Sequence, residues 1–240
     1  MSPILSVSVI IPVYNEEQII ESAVRTNFNL LTQYNCDFEI LIVNDGSRDQ
    51  SNQIINHCFS EHPNILIFQK AVNEGFGSAV KLGIQLAQKK FILCVPADSP
   101  LKAEVLESFI KAAHHADIIV GYRVERLGYS WRMKLNSAAF HFIVKNLFDI
   151  HLRDFNWIHM YNRRVFSENG IGITSKGLFM LAEVLISAKR KGYSFYEIPV
   201  LQTQRITGVA TASMYSTVIM TLKEIIAYKI ILCRFKNDSN

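Results

Sequence analysis

Ser8-Val9-Ile10-Ile11-Pro12-Val13-Tyr14-Asn15-Glu16-Glu17 runs from an apolar stretch through a proline into an acidic pair. A second stretch, Glu39-Ile40-Leu41-Ile42-Val43-Asn44-Asp45-Gly46-Ser47, repeats the pattern of an apolar run ending in polar residues. Consecutive apolar and β-branched residues over so few positions read as strands buried on both faces. Residues 7–11, 38–43, 65–68, 91–95 and 117–121 all fit. Helical patterns fall between them, at about 16–31, 49–62, 77–89 and 102–114, with Asp49 placed to cap the second. This alternation predicts right-handed crossovers and a mostly parallel α/β sheet with helices on both faces. Ligands of such sheets sit beyond the carboxyl ends of the strands, so chemistry is expected in the loops after each one.

After residue 121 the pattern changes. A long helix over 131–148, an extended segment over 154–161, a helix over 178–191, a strand over 194–201 and a last helix over 215–234 are expected. No repeat or Pro/Gly linker divides the chain, so one domain is expected over 1–213, with 214–240 as a C-terminal helix.

Three loops at one sheet edge carry candidate chemistry. Pro12 ends the first strand, and Glu16 and Glu17 open a helix whose dipole favours negative charge. Asp45 follows the second strand; it could accept hydrogen bonds from a nucleobase, or serve only a turn and a helix cap. Pro96-Ala97-Asp98-Ser99-Pro100 follows the fourth strand, where Asp98 could ligate a divalent cation that neutralises a diphosphate. Glycines at 75, 77 and 83 permit close backbone approach and free N–H groups at a helix start, although helix packing explains Gly83 more simply.

The order and spacing of these stretches, with Asn73, Gly75, Gly77, Ala79 and Gly83, resemble the family 2 glycosyltransferases of the GT-A fold. Gly121-Tyr122-Arg123, Asp154, Glu183, and Glu197-Ile198-Pro199-Val200 leading to Arg205 and Gly208 make the chain most similar to the dolichyl- and polyprenyl-phosphate sugar transferases. The resemblance covers roughly residues 5–210. It implies that Pro12, Tyr14, Glu16 and Gly75 line the nucleotide and that Asp45 reads the base. Asp98 matches the last aspartate of the family's metal motif. Arg123 and Arg205 match phosphate-binding arginines, whose charged fork suits phosphate oxygens. For a hydroxyl acceptor, Asp154 and Glu183 are the candidate bases; salt bridges with Lys189 and Arg190, or a turn, would explain them otherwise.

Three departures stand out. Pro96 replaces the metal motif's leading aspartate, so Mg²⁺ or Mn²⁺ binding is expected to be weak or donor-dependent. Ala210-Thr211 replaces a usual Ser-Lys pair, and Trp157-Ile158-His159-Met160 replaces the usual Gly-Phe-Arg or Gly-Phe-Lys. The implied activity is inverting transfer from a nucleotide sugar to a polyprenyl or dolichyl phosphate. Transfer to a saccharide hydroxyl, or nucleotide-sugar binding with little turnover, are the rival readings.

Composition limits location. The chain has 240 residues, 49% of them apolar and 19% charged, which excludes disorder. No apolar run exceeds five residues, against about 18–20 for a membrane span. No basic residue precedes Arg25, unlike a signal peptide. The net charge of +4, from 25 Lys and Arg against 21 Asp and Glu, suits an anionic ligand or lipid surface without demanding nucleic acid. The four cysteines form no CxxC pair and the histidines show no metal-ligand spacing; a reduced, cytoplasmic protein is expected. In the last helix, apolar Ile219, Leu222, Ile225, Ile226, Ile230 and Ile231 alternate with Lys223, Lys229 and Arg234. That pattern fits a peripheral membrane contact at the inner face, or else core packing or a homodimer.

Overall fold

A computed structural model describes residues 4–125, 128–167, 170–201 and 215–237. Seven strands form one sheet: β1 (Ser6–Val13), β2 (Asp37–Asn44), β3 (Ile65–Gln69), β4 (Phe91–Cys94), β5 (Ile118–Arg123), β6 (His159–Asn162) and β7 (Phe195–Val200). Their order is β3-β2-β1-β4-β6-β5-β7. All pairings are parallel except those of β6, which runs antiparallel to both β4 and β5. The extended segment expected over 154–161 is thus a loop that becomes strand only at His159.

The helices are α1 (Ile20–Gln33), α2 (Ser51–Phe59), α3 (Phe76–Leu86), α4 (Ala103–Ala112), α5 (Trp131–Phe148), α6 (Phe179–Arg190) and α7 (Tyr215–Asn237). Successive strand residues point to opposite faces, so an all-apolar strand must be covered twice. Val7, Val9 and Ile11 pack on α1, α2 and α4 through Val24, Ile55 and Leu106. Ile10, Leu41 and Val43 face the opposite core, with Val80 of α3, Leu185 of α6 and Ile225 of α7. Gly83 confirms its packing role, because a Cβ there would lie 2.5 Å from Ile10 Cγ2.

The helix expected from residue 16 starts only at Ile20. Asn15 takes a left-handed φ of 57°, and residues 16–19 form a turn closed by the Glu16 carbonyl, which accepts from the Ile19 and Ile20 amides. Asp49 does accept from the first amide of α2, Ser51 N–H at 3.0 Å, from one residue outside the cap position. The order in which strands are laid down reverses between β1 and β4: β2 and β3 lie to one side, later strands to the other. A crevice at the carboxyl ends is the geometric result.

Candidate active site

The loops after β1 and β2 are laced together by short polar side chains. Asn15 N–H donates to Ser47 Oγ at 3.0 Å, Glu16 N–H to Ser51 Oγ at 2.8 Å, and Glu17 N–H to Asp49 Oδ2 at 3.1 Å. In return Asn15 Oδ1 and Glu17 Oε2 accept from the Arg48 and Gln50 amides, both at 2.8 Å. This reciprocal lacing fixes the rim of a cleft of about 590 Å³ at the reversal between β1 and β4. Pro12, Tyr14, Glu16, Asp45, Asn73 and Asp98 border it, so the strand-end residues expected to meet a nucleotide and cation share one wall.

Asp45 is more heavily engaged than its sequence position suggests. Its side chain is buried; Oδ2 accepts from Gly75 N–H at 2.7 Å and Oδ1 pairs with Lys70 Nζ at 2.8 Å. Gly75 itself stands behind the cleft wall with φ of 103°, a conformation that favours glycine. The free amides expected at the start of α3 are absent at both its glycines. Gly75 N–H goes to Asp45 and Gly77 N–H to the Lys176 carbonyl at 2.7 Å.

Arg123 and Asp154, expected to serve separate roles, are each other's partner. Arg123 Nε and Nη2 donate to the two carboxylate oxygens at 2.7 and 2.9 Å, with side-chain exposures of 4% and 1%. His141 Nε2 lies 3.2 Å from Asp154 Oδ1, and Arg123 Nη1 donates to Tyr129 Oη at 2.6 Å. Burial alone would raise the Asp154 pKa, but hydrogen bonds from His141 and Arg123 hold its carboxyl far below the usual range. For Arg123, burial opposes the charge and Asp154 more than offsets it, so its pKa is raised. A carboxylate so stabilised as an anion is a poor proton acceptor. Arg123 still borders the cleft, with its charge fixed in place.

Glu183 is neither exposed nor salt-bridged to Lys189 or Arg190. It is fully buried; Oε1 accepts from Thr174 N–H and Oγ1 at 2.7 Å, and Oε2 from Ser175 N–H at 2.8 Å. It holds the 171–178 loop and does not line the cleft. Arg205, with Gly208 and Ala210-Thr211, lies outside the described residues.

Sequence reasoning missed the far half of the cleft. Met133, Phe140 and Ile143 of α5 face Val218, Leu222 and Ile225 of α7, forming an apolar trough continuous with the polar wall. Asn156 and Trp157 border it too. Asn136 and Ser137 of α5 also line it, and nothing in the mixed pattern of that helix marked them out. Among the described residues no cluster of three or more His, Cys, Asp or Glu can hold a metal ion. The residues do fit a cation arriving with its own oxygen ligands, because Mg²⁺ can be held by one carboxylate plus substrate phosphates.

His159 begins β6, a few residues after Asp154, and burial pushes its imidazole down to about 4 from 6.5. Between those values the unfolded chain binds a proton that the folded one refuses, so stability falls as pH drops from 6.5 to 4. His159→Phe is expected to flatten that slope relative to wild type, read as urea midpoints at pH 7 and 4.5. An unchanged slope would remove His159 as its source.

The family model for glycosyl transferase family 2 matches residues 8–172. A dolichyl-phosphate beta-glucosyltransferase of Trichomonas vaginalis is 31% identical over 129 residues, 49% of this chain and 40% of that protein. An undecaprenyl-phosphate 4-deoxy-4-formamido-L-arabinose transferase of Pseudomonas syringae is 31% identical over 133 residues, 54% and 39% respectively. The chain thus spans less than half the length of these curated relatives. Glucosyl-3-phosphoglycerate synthase of Mycobacterium tuberculosis, solved with Mn²⁺, UDP and glucosyl-3-phosphoglycerate, superposes with a TM-score of 0.71 at 13% identity. That match covers 93% of this chain and 80% of the other, and shows a shared GT-A architecture. The matched model runs from Ser8 within β1 past the end of β6 and takes in every cleft loop between them: this chain belongs to the family 2 glycosyltransferases.

Proposed function

We propose that this chain transfers a sugar from a nucleoside-diphosphate donor to a polyprenyl phosphate, with inversion at the anomeric carbon. The observation that carries the reading is the two-part cleft: a polar wall at the strand ends continuous with an apolar trough between α5 and α7. A nucleotide sugar fits the first part and a prenyl chain the second. The names of the dolichyl- and undecaprenyl-phosphate relatives support the same acceptor class.

An acceptor phosphate is already ionised at neutral pH, so its oxygen can attack the anomeric carbon without a general base. The bond from that carbon to the diphosphate breaks, and the leaving nucleoside diphosphate takes the electron pair. Positioning and charge neutralisation then supply most of the catalysis. Arg123 suits this role if a phosphate oxygen displaces the Tyr129 hydroxyl from Nη1, leaving the Asp154 pairing intact. Asp98 would hold Mg²⁺ or Mn²⁺ against the donor diphosphate, where the cation neutralises the leaving group. The disposition of Asp154 and Glu183 counts against a hydroxyl acceptor: one is made too weak a base by its His141 and Arg123 partners, and the other is buried and does not line the cleft.

The outer faces of the trough helices support a lipid surface as the place of work. Trp131, Leu135 and Phe142 of α5 stand 60–69% exposed on one stripe, and Ile219, Ile226 and Ile230 of α7 are 48–59% exposed. These two helices carry seven Lys and Arg and a single Glu. The remaining chain, with 18 basic and 20 acidic residues, is net negative, so the excess positive charge lies beside the apolar stripes. Apolar insertion flanked by basic side chains favours an anionic bilayer over a second protomer bearing the same charge. Among the described residues no helix is long and apolar enough to cross a membrane.

The test is incubation with radiolabelled UDP- and GDP-sugars, divalent cation and polyprenyl phosphate in anionic vesicles. Label extractable into organic solvent is expected. Label transferred only to a water-soluble saccharide, or nucleotide binding with no transfer, would replace this reading.

A further inference from the structure

Asn156 and Trp157 follow Asp154 on the loop entering β6, and both border the cleft. Among the described residues, the Trp157 indole N–H and the Asn156 Oδ1 are buried without a hydrogen-bond partner. Leaving such atoms unsatisfied costs about 1–3 kcal/mol each, so their persistence at a cleft wall calls for a reason. The Trp157 ring and the Asn156 backbone are held in place. The Arg123 guanidinium sits 5.0 Å over the Trp157 ring, and the Asn156 backbone N–H donates to Asp154 Oδ1 at 3.2 Å.

Topology places the pair near Asp98. β6 runs antiparallel to β4 with Leu93 opposite Met160. In the strand order β2-β1-β4-β6 the loop entering β6 neighbours the loop leaving β4 and lies three strands from the loop that carries Asp45. Pro96, Ala97 and Asp98 border the same cleft. The pair therefore lies on the side of the cleft that carries the aspartate assigned to the donor diphosphate, away from Asp45. That position belongs to the group attached to the diphosphate, not to the base.

We propose that Asn156 and Trp157 recognise the transferred sugar ring of the donor, and so determine sugar specificity. The indole N–H donates to one ring hydroxyl, and Asn156 Oδ1 accepts from a neighbouring one. A polyhydroxyl ring supplies the acceptor and the donor together. An ionised phosphate accepts but does not donate, so it leaves the Asn156 oxygen unpaired. The inference rests on the nucleotide-sugar reading of the cleft, and its test separates the two.

Calorimetric titrations would compare UDP with UDP-glucose and GDP with GDP-mannose, on wild type, Trp157→Phe and Asn156→Ala. Phenylalanine keeps an aromatic ring beneath Arg123 and removes only the N–H donor and part of the ring. For each variant the affinity for the nucleoside diphosphate is expected to stay within twofold of wild type. The affinity for the nucleotide sugar is expected to fall about 3–10-fold, the range of one lost hydrogen bond. A sugar-to-diphosphate affinity ratio unchanged in both variants overturns the proposal while leaving nucleotide binding intact. Wild type that binds none of these nucleotides overturns the donor reading and this proposal with it. A second measurement avoids changing the site at all. Trp131→Phe leaves Trp157 as the sole tryptophan, and its emission is expected to change with the nucleotide sugar but not with the diphosphate. Equal emission changes with both ligands count against sugar contact at Trp157.

Discussion

Asp154→Asn is expected to destabilise the folded protein by about 3–5 kcal/mol, the cost of leaving a buried charge without its partner. The side chains of Asp154 and Arg123 are 1% and 4% exposed, and two hydrogen bonds of 2.7 and 2.9 Å join them. Asparagine keeps the shape but removes the charge, so the Arg123 guanidinium stays buried with only neutral acceptors. The effect should appear in urea as a lower midpoint with an unchanged m-value. Arg123→Met combined with Asp154→Leu is expected to recover much of the loss, because the buried guanidinium is removed together with its carboxylate partner. Acid should act like the asparagine substitution. The folded carboxyl titrates below its unfolded counterpart, so the stabilisation is complete above the unfolded value near 4 and is lost as pH falls toward the folded one. A loss below 1 kcal/mol for Asp154→Asn would mean that the pair is open to solvent.

Asp98→Asn is expected to reduce turnover about 100-fold or more while leaving the fold intact. That is the scale for removing one charge-stabilising group from a reaction whose leaving group accumulates negative charge. Asp98 borders the cleft beyond β4, in a loop where Pro96 offers no second carboxylate. A single carboxylate makes a weak cation site until a diphosphate supplies further oxygens. Wild type should therefore bind Mn²⁺ appreciably only when a nucleoside diphosphate is present, and Asp98→Asn should abolish that linkage. Pro96→Asp is expected to raise Mn²⁺ affinity in the absence of nucleotide. Titrating Mn²⁺ by electron paramagnetic resonance, with and without UDP or GDP, measures all three. Tight binding by nucleotide-free wild type would show that other ligands complete the site.

Both effects depend on residues visible in the sequence, yet they were not equally legible there. Asp98 could be placed because a loop after a buried strand must emerge at the carboxyl edge of a parallel sheet. Residues 12–16 and Asp45 were placed on the same grounds, and all but Gly75 of the expected nucleotide-side residues border the cleft. The pairing of Arg123 with Asp154 was not legible. Those residues are 31 positions apart, one ending β5 and the other on the loop before β6, and they meet because β6 inserts antiparallel between β4 and β5. Glu183 misled for a related reason. On a helix, a glutamate followed by lysine and arginine looks solvated; here the 171–178 loop folds over it and supplies backbone donors.

By itself the sequence determined which residues become strands, which edge of the sheet carries the polar loops, and the family to which the chain belongs. These follow from local runs of apolar residues and from the loops that must end them. What tertiary structure alone decided is the meaning of the second half: that α5 and α7 line one apolar trough, that Arg123 is clamped by Asp154, and that Asn156 and Trp157, whose buried polar atoms lack partners among the described residues, border the cleft. The physical reason is that apolar and polar residues are spread around α5 and α7 without a clear stripe, so their patterns name no inward face. Only the packing of other elements against them selects one.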